Sequence, residues 1–214
     1  MKLLKIVAVI FFDIIDLYYH QKRIIKFIRK NNINIKVFFD IGSHMGTYSD
    51  LILRDFRKCR VLMFEPQNSI FKKIKKKYKG QKNIKIYNYA ISDKSTLKTI
   101  YINRHDLTSG LSTFNKKSSN YLKLKARLFG TTSSGMILNK SKVKTKKLSE
   151  IIKLHNIKKI QYILIEFRSD KIYLSYNPKK IHNYLIKKNF VLQDTFKFPF
   201  TTWEDRFYLN KRFQ

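Results

Sequence analysis

The sequence predicts an α/β fold built around a parallel β-sheet. Short apolar runs, typical of buried strands, alternate with longer segments whose apolar residues recur three and four positions apart, as in amphipathic helices. A turn with two glycines also connects the first of these strands to the helix that follows it. Strands that alternate with helices form βαβ units, and this arrangement favours a parallel sheet.

The first half of the chain contains three predicted strands and three predicted helices. The first helix carries Leu17, Gln21, Ile24, Ile25 and Ile28 on one face, so this face packs against a core. In chain order, the elements are a helix over 16–31, a strand over 36–40, a helix over 47–56, a strand over 60–64, a helix over 69–79 and a strand over 83–89.

The second half is less regular. Segments 108–119 and 130–135 are rich in Ser, Thr and Gly and predict loops. The run YILIEF at 162–167 predicts a strongly buried strand that contains Glu166, whose carboxylate needs a partner there. Further strands are predicted over 99–103, 190–193 and 206–209, with helices over 146–155 and 178–188. We expect one domain over 35–214, with a helical extension of residues 1–34 packed on it.

The composition of the 214 residues excludes several classes of protein. A hydrophobic fraction of 43% excludes a disordered chain, and only 6 Gly and 3 Pro exclude a collagen-like one. The single cysteine, Cys59, excludes an internal disulfide and a zinc site of several thiolates, and no metal is expected. The net charge of +32 attracts polyanions whether or not they are the functional partner.

The N-terminus has only a superficial likeness to a targeting signal. Its apolar run, 6–12, is followed by Asp13, lacks a small-residue cleavage site and is too short to span a bilayer. We therefore expect a cytoplasmic protein. The N-terminal helix is expected to pack on the domain, and weak contact with a membrane surface is the alternative.

The stretch from Asp40 to Glu65 carries the strongest chemical signal. Gly42 and Gly46 lie in a turn between a strand and a helix, where a ligand can approach the backbone and the helix N-terminus favours negative charge. Glu65 ends the next strand, 25 positions after Asp40, where ribose hydroxyls of a nucleotide-type cofactor are bound. The spacing Asp-x-Gly-x-x-x-Gly differs from the dinucleotide fingerprint and fits the glycine loop of S-adenosylmethionine enzymes better.

Several segments resemble the FkbM-type methyltransferase family in sequence, order and spacing. They are FFDIGSHMGTYS (38–49), FEPQ (64–67), NYAISD (88–93), SGLSTF (109–114) and VKTKKLSEII (143–152). The resemblance implies an S-adenosylmethionine-dependent O-methyltransferase on a seven-stranded Rossmann-like class I sheet. Members of this family often modify glycans or small secondary metabolites.

The resemblance also implies roles for individual residues in binding S-adenosylmethionine. Asp40, Gly42 and Gly46 would line the methionine and ribose part of the cofactor, and His44 is compatible with the same loop. Glu65 would bind the ribose hydroxyls. The residues that would flank the adenine are Asn88, Ala90 and Ile91, with Asp93 as a less certain neighbour.

One part of the family pattern is missing from this sequence. After a helix like 148–156, the family presents a Lys-Ile-Asp strand, then Glu-Gly and another helix, whereas here residues 160–167 follow at once. We therefore predict that one strand and one helix are absent. The lost strand ordinarily contributes an acidic residue beside the methyl group, and either Glu166 or Asp170 replaces it or the protein is impaired.

Methyl transfer to oxygen requires an aligned acceptor and a group that removes its proton. The candidate bases are His44, His105, Asp106 and Glu166, and His105 and Asp106 precede the loop-forming segment in which an acceptor could bind. The resemblance therefore implies O-methylation of a hydroxyl on a glycan or small metabolite, and no specific nucleic acid partner is expected. The competing hypothesis is a non-catalytic, degenerate Rossmann-like domain that binds RNA or another polyanion.

Overall fold

The computed structural model describes residues 15–103, 137–168, 177–199 and 203–213. The chain forms two compact units, one of residues 27–155 and one that combines residues 1–26 with 156–214. A π-helical turn, Ile15–His20, leads into helix α1 (Gln21–Lys30), which extends across this division. The predicted packing of residues 1–34 on a domain of residues 35–214 stays a prediction.

A three-stranded parallel sheet forms the centre of the 27–155 unit. Its strands are β1 (Val37–Ile41), β2 (Arg60–Phe64) and β3 (Ile84–Tyr87), in the order β1-β2-β3. The connections contain helices α2 (Thr47–Asp55) and α3 (Asn68–Lys77). This confirms the predicted α/β fold, and the carboxyl ends of the three strands therefore lie at one edge of the sheet.

Strand β2 is the most deeply buried part of this unit. Residues 61–64 have no exposed surface, because β2 lies between two strands and both of its faces are covered. Leu62 and Phe64 form one cluster with Ile151. Burial of each such side chain contributes about 1.5–3 kcal/mol, which fixes the position of the loops that follow β1 and β2.

A second sheet of the same unit has the order β4-β6-β5. Strand β4 (Ala90–Ser92) pairs in parallel with β6 (Ile137–Lys147), and β5 (Leu97–Asn103) pairs with β6 in antiparallel orientation. Strand β6 is not among the predicted strands, because its lysines alternate along the sequence with Ser, Val and Thr and not with large apolar residues. Helix α4 (Leu148–Leu154) starts two residues later than predicted, where β6 ends.

The other unit contains an antiparallel sheet of order β7-β9-β8. Its strands are β7 (Tyr162–Arg168), β8 (Phe190–Lys197) and β9 (Trp203–Asn210), with helix α5 (Pro178–Lys187) before β8 and a 3₁₀ turn, Lys211–Phe213, after β9. Strand β9 is antiparallel to both neighbours, so β7 and β8 run parallel to each other. Phe167, Leu185, Phe190 and Tyr208 form the core of this sheet.

The predicted burial of Glu166 is wrong. Strand β7 exists as predicted, but Glu166 is exposed and its neighbour Phe167 is 2% exposed. Successive side chains of a strand point to opposite faces, and Glu166, paired with Asp205 of β9, lies on the face opposite Phe167. Glu166 therefore does not require a buried partner.

The remaining fold predictions concern the missing unit, the loops and the membrane. Within the described residues, nine strands form three sheets of three strands each, and the loss of one strand–helix unit stays a prediction. The predicted loops 108–119 and 130–135 lie outside the described residues. In the described part of the chain, no helix is long and apolar enough to cross a membrane.

Candidate active site

The loop of residues 42–46 directly follows β1 at the carboxyl edge of the parallel sheet. Three of its residues have positive φ angles, Gly42 at 78°, His44 at 44° and Gly46 at 77°. The backbone N–H groups of Gly42 and Ser43 both donate to the carbonyl oxygen of Phe64, at 2.9 and 3.1 Å. These hydrogen bonds hold the loop at the end of β2. The left-handed backbone conformation explains why glycine occupies positions 42 and 46.

The two glycines of the loop have different surroundings. A Cβ atom at Gly46 would collide with Oη of Tyr78 and lie 2.8 Å from Cε of Met63, whereas a Cβ atom at Gly42 would have nothing within 4 Å. Gly46 is thus required by packing. Gly42 instead borders open space, as expected where a ligand approaches the backbone.

Tyr78 supports the loop from the C-terminal end of helix α3. Its hydroxyl oxygen lies 2.9 Å from the carbonyl oxygen of Gly46 and 2.8 Å from Oδ1 of Asp50, and its single proton can be donated to either. Burial and the nearby Asp50 carboxylate raise the pKa of Tyr78, so the phenol stays protonated. Lys77 contacts the same region, donating to the carbonyl oxygen of Met45 at 2.9 Å.

Glu65 holds the loop in place with its carboxylate. The residue is 3% exposed, and its Oε2 accepts from the backbone N–H of His44 at 3.0 Å. Its Oε1 accepts from the backbone N–H of Gln67 at 2.8 Å. These are charge-assisted bonds, and each carboxylate oxygen has a second lone-pair position. The sequence assigns Glu65 to the ribose, and the structure adds that this residue fixes the loop backbone.

Asp40 is a buried carboxyl group beneath the loop. It is 8% exposed, and Ser49 of α2 donates its hydroxyl to Oδ2 at 2.5 Å. Burial raises the pKa of Asp40 to about 6, although the hydrogen bonds from Ser49 oppose the shift. Ser49 is not among the predicted site residues, because only the packing of α2 onto β1 brings it to Asp40.

Asn88 is positioned by the turn that follows Glu65. Its Nδ2 donates to the carbonyl oxygens of Glu65 and Pro66, at 2.9 and 3.2 Å. Ala90 is buried at the start of β4, and Ile91 packs against the cluster of Leu62, Phe64 and Ile151. The structure therefore brings Asn88 to the Glu65 turn, while the roles of Asn88, Ala90 and Ile91 toward adenine stay predictions.

The surface of the loop combines apolar side chains with one orphaned hydroxyl. Ile41 and Met45 are 51% and 38% exposed, which is high for large apolar residues beside a buried sheet. The Ser43 hydroxyl is buried and has no hydrogen-bond partner among the described residues. An orphaned donor next to open space at Gly42 fits a ligand with polar and apolar parts.

Of the predicted bases His44, His105, Asp106 and Glu166, only His44 belongs to the described part of the 27–155 unit. His105 and Asp106 lie outside the described residues, and Glu166 is on β7 in the other unit. Their catalytic roles stay predictions. In the described part of the chain, no group of three His, Cys, Asp or Glu residues could hold a metal ion.

Comparison with known protein families identifies the family. The model of the methyltransferase FkbM domain matches residues 40–166, which include the 42–46 loop, Glu65 and Asn88. This match spans more than half of the chain. Among curated proteins, no sequence matches this chain.

Three solved structures illustrate the similarity in three dimensions. Magnesium protoporphyrin IX methyltransferase from Synechocystis, with bound S-adenosylmethionine, is 8% identical with a TM-score of 0.49, covering 89% of this chain and 78% of that one. A Leishmania major S-adenosylmethionine-dependent methyltransferase is 8% identical with a TM-score of 0.47, covering 92% and 73%. Aeropyrum pernix fibrillarin with S-adenosylmethionine is 10% identical with a TM-score of 0.40, covering 82% and 66%.

TM-scores below 0.5 are too low to support a conclusion about this chain, so the assignment rests on the family match and on the loop that it contains. The chain belongs to the FkbM methyltransferase family and is an S-adenosylmethionine-dependent methyltransferase.

Proposed function

We propose that the 42–46 loop and Glu65 bind S-adenosylmethionine and that the protein methylates a hydroxyl group of a glycan or small metabolite in the cytoplasm. The observation that carries the proposal is the open space at Gly42 within a loop that Glu65 holds rigid. The resemblance to the FkbM family supports a hydroxyl acceptor.

The residues present fit the cofactor. Gly42 leaves room for it, and the buried Ser43 hydroxyl provides an unused hydrogen-bonding group. Asp40 carries a carboxylate that burial destabilises, so a cation brought next to it is favoured. When bound, S-adenosylmethionine supplies a methyl group on a positively charged sulfonium with a good leaving group.

The protein's own contribution is positioning and proton removal. The hydrogen bonds of Glu65 and Tyr78 hold the loop before any ligand arrives, so little backbone ordering is needed on binding. A base must lie within hydrogen-bond reach of the acceptor hydroxyl. We retain His105, Asp106 and Glu166 as the proposed candidates for this base.

Calorimetry with S-adenosylmethionine tests the cofactor site through a matched pair of variants. Asn tolerates positive φ, so Gly42→Asn keeps the backbone while its side chain fills the open space. Gly80→Asn is the control, because Gly80 has a φ of 87° and a Cβ atom there would also have nothing within 4 Å. We expect Gly42→Asn to weaken binding at least about tenfold, or 1.4 kcal/mol, and Gly80→Asn to bind as the wild type does.

Two outcomes would contradict the proposal. If Gly42→Asn binds S-adenosylmethionine normally, the cofactor does not lie at this loop. If the folded wild type binds none at millimolar concentration, the competing hypothesis of a non-catalytic domain for RNA or another polyanion is favoured instead.

A further inference from the structure

Strand β6 carries a row of lysines along one face. Lys140, Lys142, Lys144 and Lys146 are all exposed and alternate with Ser141, Val143 and Thr145. Side chains at alternate positions of a strand share a face and are about 6.8 Å apart, so the four lysines span roughly 20 Å. We call these four residues the β6 lysine row.

The opposite face of β6 fixes the orientation of the row. Val143 and Thr145 are 6% and 2% exposed. The Thr145 hydroxyl donates to the carbonyl oxygen of Lys94 at 2.6 Å and accepts from the backbone N–H of Thr96 at 3.1 Å. If the pairing register of β6 shifted by one residue, the lysines would face the core, so their outward orientation is a stable feature of the fold.

Acidic side chains do not neutralise most of the row. Neither β5 nor β6 contains Asp or Glu. Lys146 lies 3.4 Å from Oε2 of Glu150, while in the described part of the chain Lys140, Lys142 and Lys144 form no ion pair. Lysines at this spacing repel one another, and the net charge of +32 adds to the repulsion. A partner with several negative charges would relieve it.

The arrangement of charge is linear rather than two-dimensional. On the neighbouring strand, Leu97 pairs with Lys144, Thr99 with Lys142 and Tyr101 with Lys140, and all three β5 residues are uncharged. A flat anionic membrane would engage a broader patch of charge. A linear polymer with regularly repeated negative groups fits one line of lysines better.

The chemistry of the row separates two kinds of linear polyanion. Single-stranded nucleic acids are held by aromatic stacking and by arginine as well as by charge. The β6 lysine row contains lysine alone, and neither β5 nor β6 contains arginine. Of the β5 residues paired with Lys140, Lys142 and Lys144, only Tyr101 is aromatic, so successive bases would find a single ring and not a series of rings to stack on. We propose that the β6 lysine row binds an acidic polysaccharide with a carboxylate on its repeating sugar, a choice of partner that rests on the proposed glycan acceptor.

Binding of polygalacturonate, with neutral dextran as the comparison polymer, tests this surface. The row variant combines Lys140→Gln, Lys142→Gln and Lys144→Gln. The control combines Lys72→Gln, Lys73→Gln and Lys76→Gln, which removes three exposed lysines from α3 and the same total charge. Equal melting temperatures of the variants and the wild type show that each is folded.

We expect the wild type to bind polygalacturonate and not dextran, and the row variant to bind at least about tenfold more weakly with a salt slope lower by roughly 2–3. The control should stay within about twofold of the wild type. Equal weakening by both variants would overturn the proposal, as would row-dependent binding of poly(U) or phosphatidylserine vesicles that is tighter than that of polygalacturonate. S-adenosylmethionine calorimetry keeps the two proposals separate, because normal cofactor binding with row-independent polymer binding rejects only the lysine row.

Discussion

Glu65 and Glu166 illustrate how two strands of similar sequence place a glutamate differently. Each follows a run of apolar residues, RVLMF before Glu65 and YILI before Glu166. Glu65 is 3% exposed and accepts two backbone N–H groups, whereas Glu166 is exposed. Strand β2 is the central strand of its parallel sheet, while β7 lies at the edge of the antiparallel β7-β9-β8 sheet formed by the described residues. An apolar run therefore identifies a strand without stating whether the adjoining carboxylate is buried.

The largest effect is expected from removal of the Glu65 carboxylate. Glu65→Ala leaves the N–H groups of His44 and Gln67 without acceptors, and each buried unsatisfied group costs about 1–3 kcal/mol. We expect the free energy of unfolding to fall by about 2–6 kcal/mol and cofactor binding to be lost. Denaturant unfolding and calorimetry measure the two effects.

Two further variants test the same contrast. Glu65→Gln keeps one acceptor oxygen, so about half of the loss in stability is expected. Glu166→Ala removes an exposed side chain and should change the free energy of unfolding by no more than about 0.5 kcal/mol. If Glu166→Ala destabilises as much as Glu65→Ala, the contrast between the two strands is wrong.

Asp40 gives a pH-dependent effect of somewhat smaller size. Because burial raises its pKa from 3.8 to about 6, its contribution to stability is fully present below pH 3.8 and is lost as the pH rises through about 6. The shift corresponds to about 3 kcal/mol against folding at pH 8. Asp40→Asn removes this pH dependence and keeps an oxygen that can accept from Ser49.

Unfolding of wild type and Asp40→Asn at pH 4 and pH 8 checks this expectation. Relative to the wild type, the variant should gain about 2–3 kcal/mol in stability between pH 4 and pH 8. It should bind S-adenosylmethionine more weakly at pH 8, since a carboxylate near a cation is lost. A stability difference that is equal at both pH values would show that Asp40 is not held in a desolvated position.

A smaller effect on the loop is expected at Tyr78, whose hydroxyl contacts Gly46 and Asp50. Tyr78→Phe removes the hydroxyl near the carbonyl oxygen of Gly46 and Asp50 but keeps the ring, so a loss of about 1 kcal/mol in the free energy of unfolding is expected. Tyr184→Phe is the control, because Tyr184 is 59% exposed. Identical stabilities of the two variants would mean that Tyr78 does not brace the loop.

Local pattern was sufficient for most elements of this fold. The apolar runs and helical spacings predicted β1, β2, β7 and the helices to within a few residues, because each element buries a face of its own. Strand β6 was not predicted because its buried residues include Val143 and Thr145, and small or polar residues give a weak hydrophobic signal. Period-2 alternation of lysine with these residues was the signal that could have found it.

For the site, local pattern specified the turn, whereas tertiary packing specified its partners. Gly42, Gly46 and Glu65 stand out in the sequence because glycine permits positive φ and a carboxylate ends the next strand. Only the packing of α2 and α3 on the parallel sheet brings three pairs of residues together. These pairs are Glu65 with His44, Ser49 with Asp40, and Tyr78 with Gly46. Hydrogen bonds between residues far apart in sequence depend on how helices and strands pack, and a local sequence pattern does not contain this information.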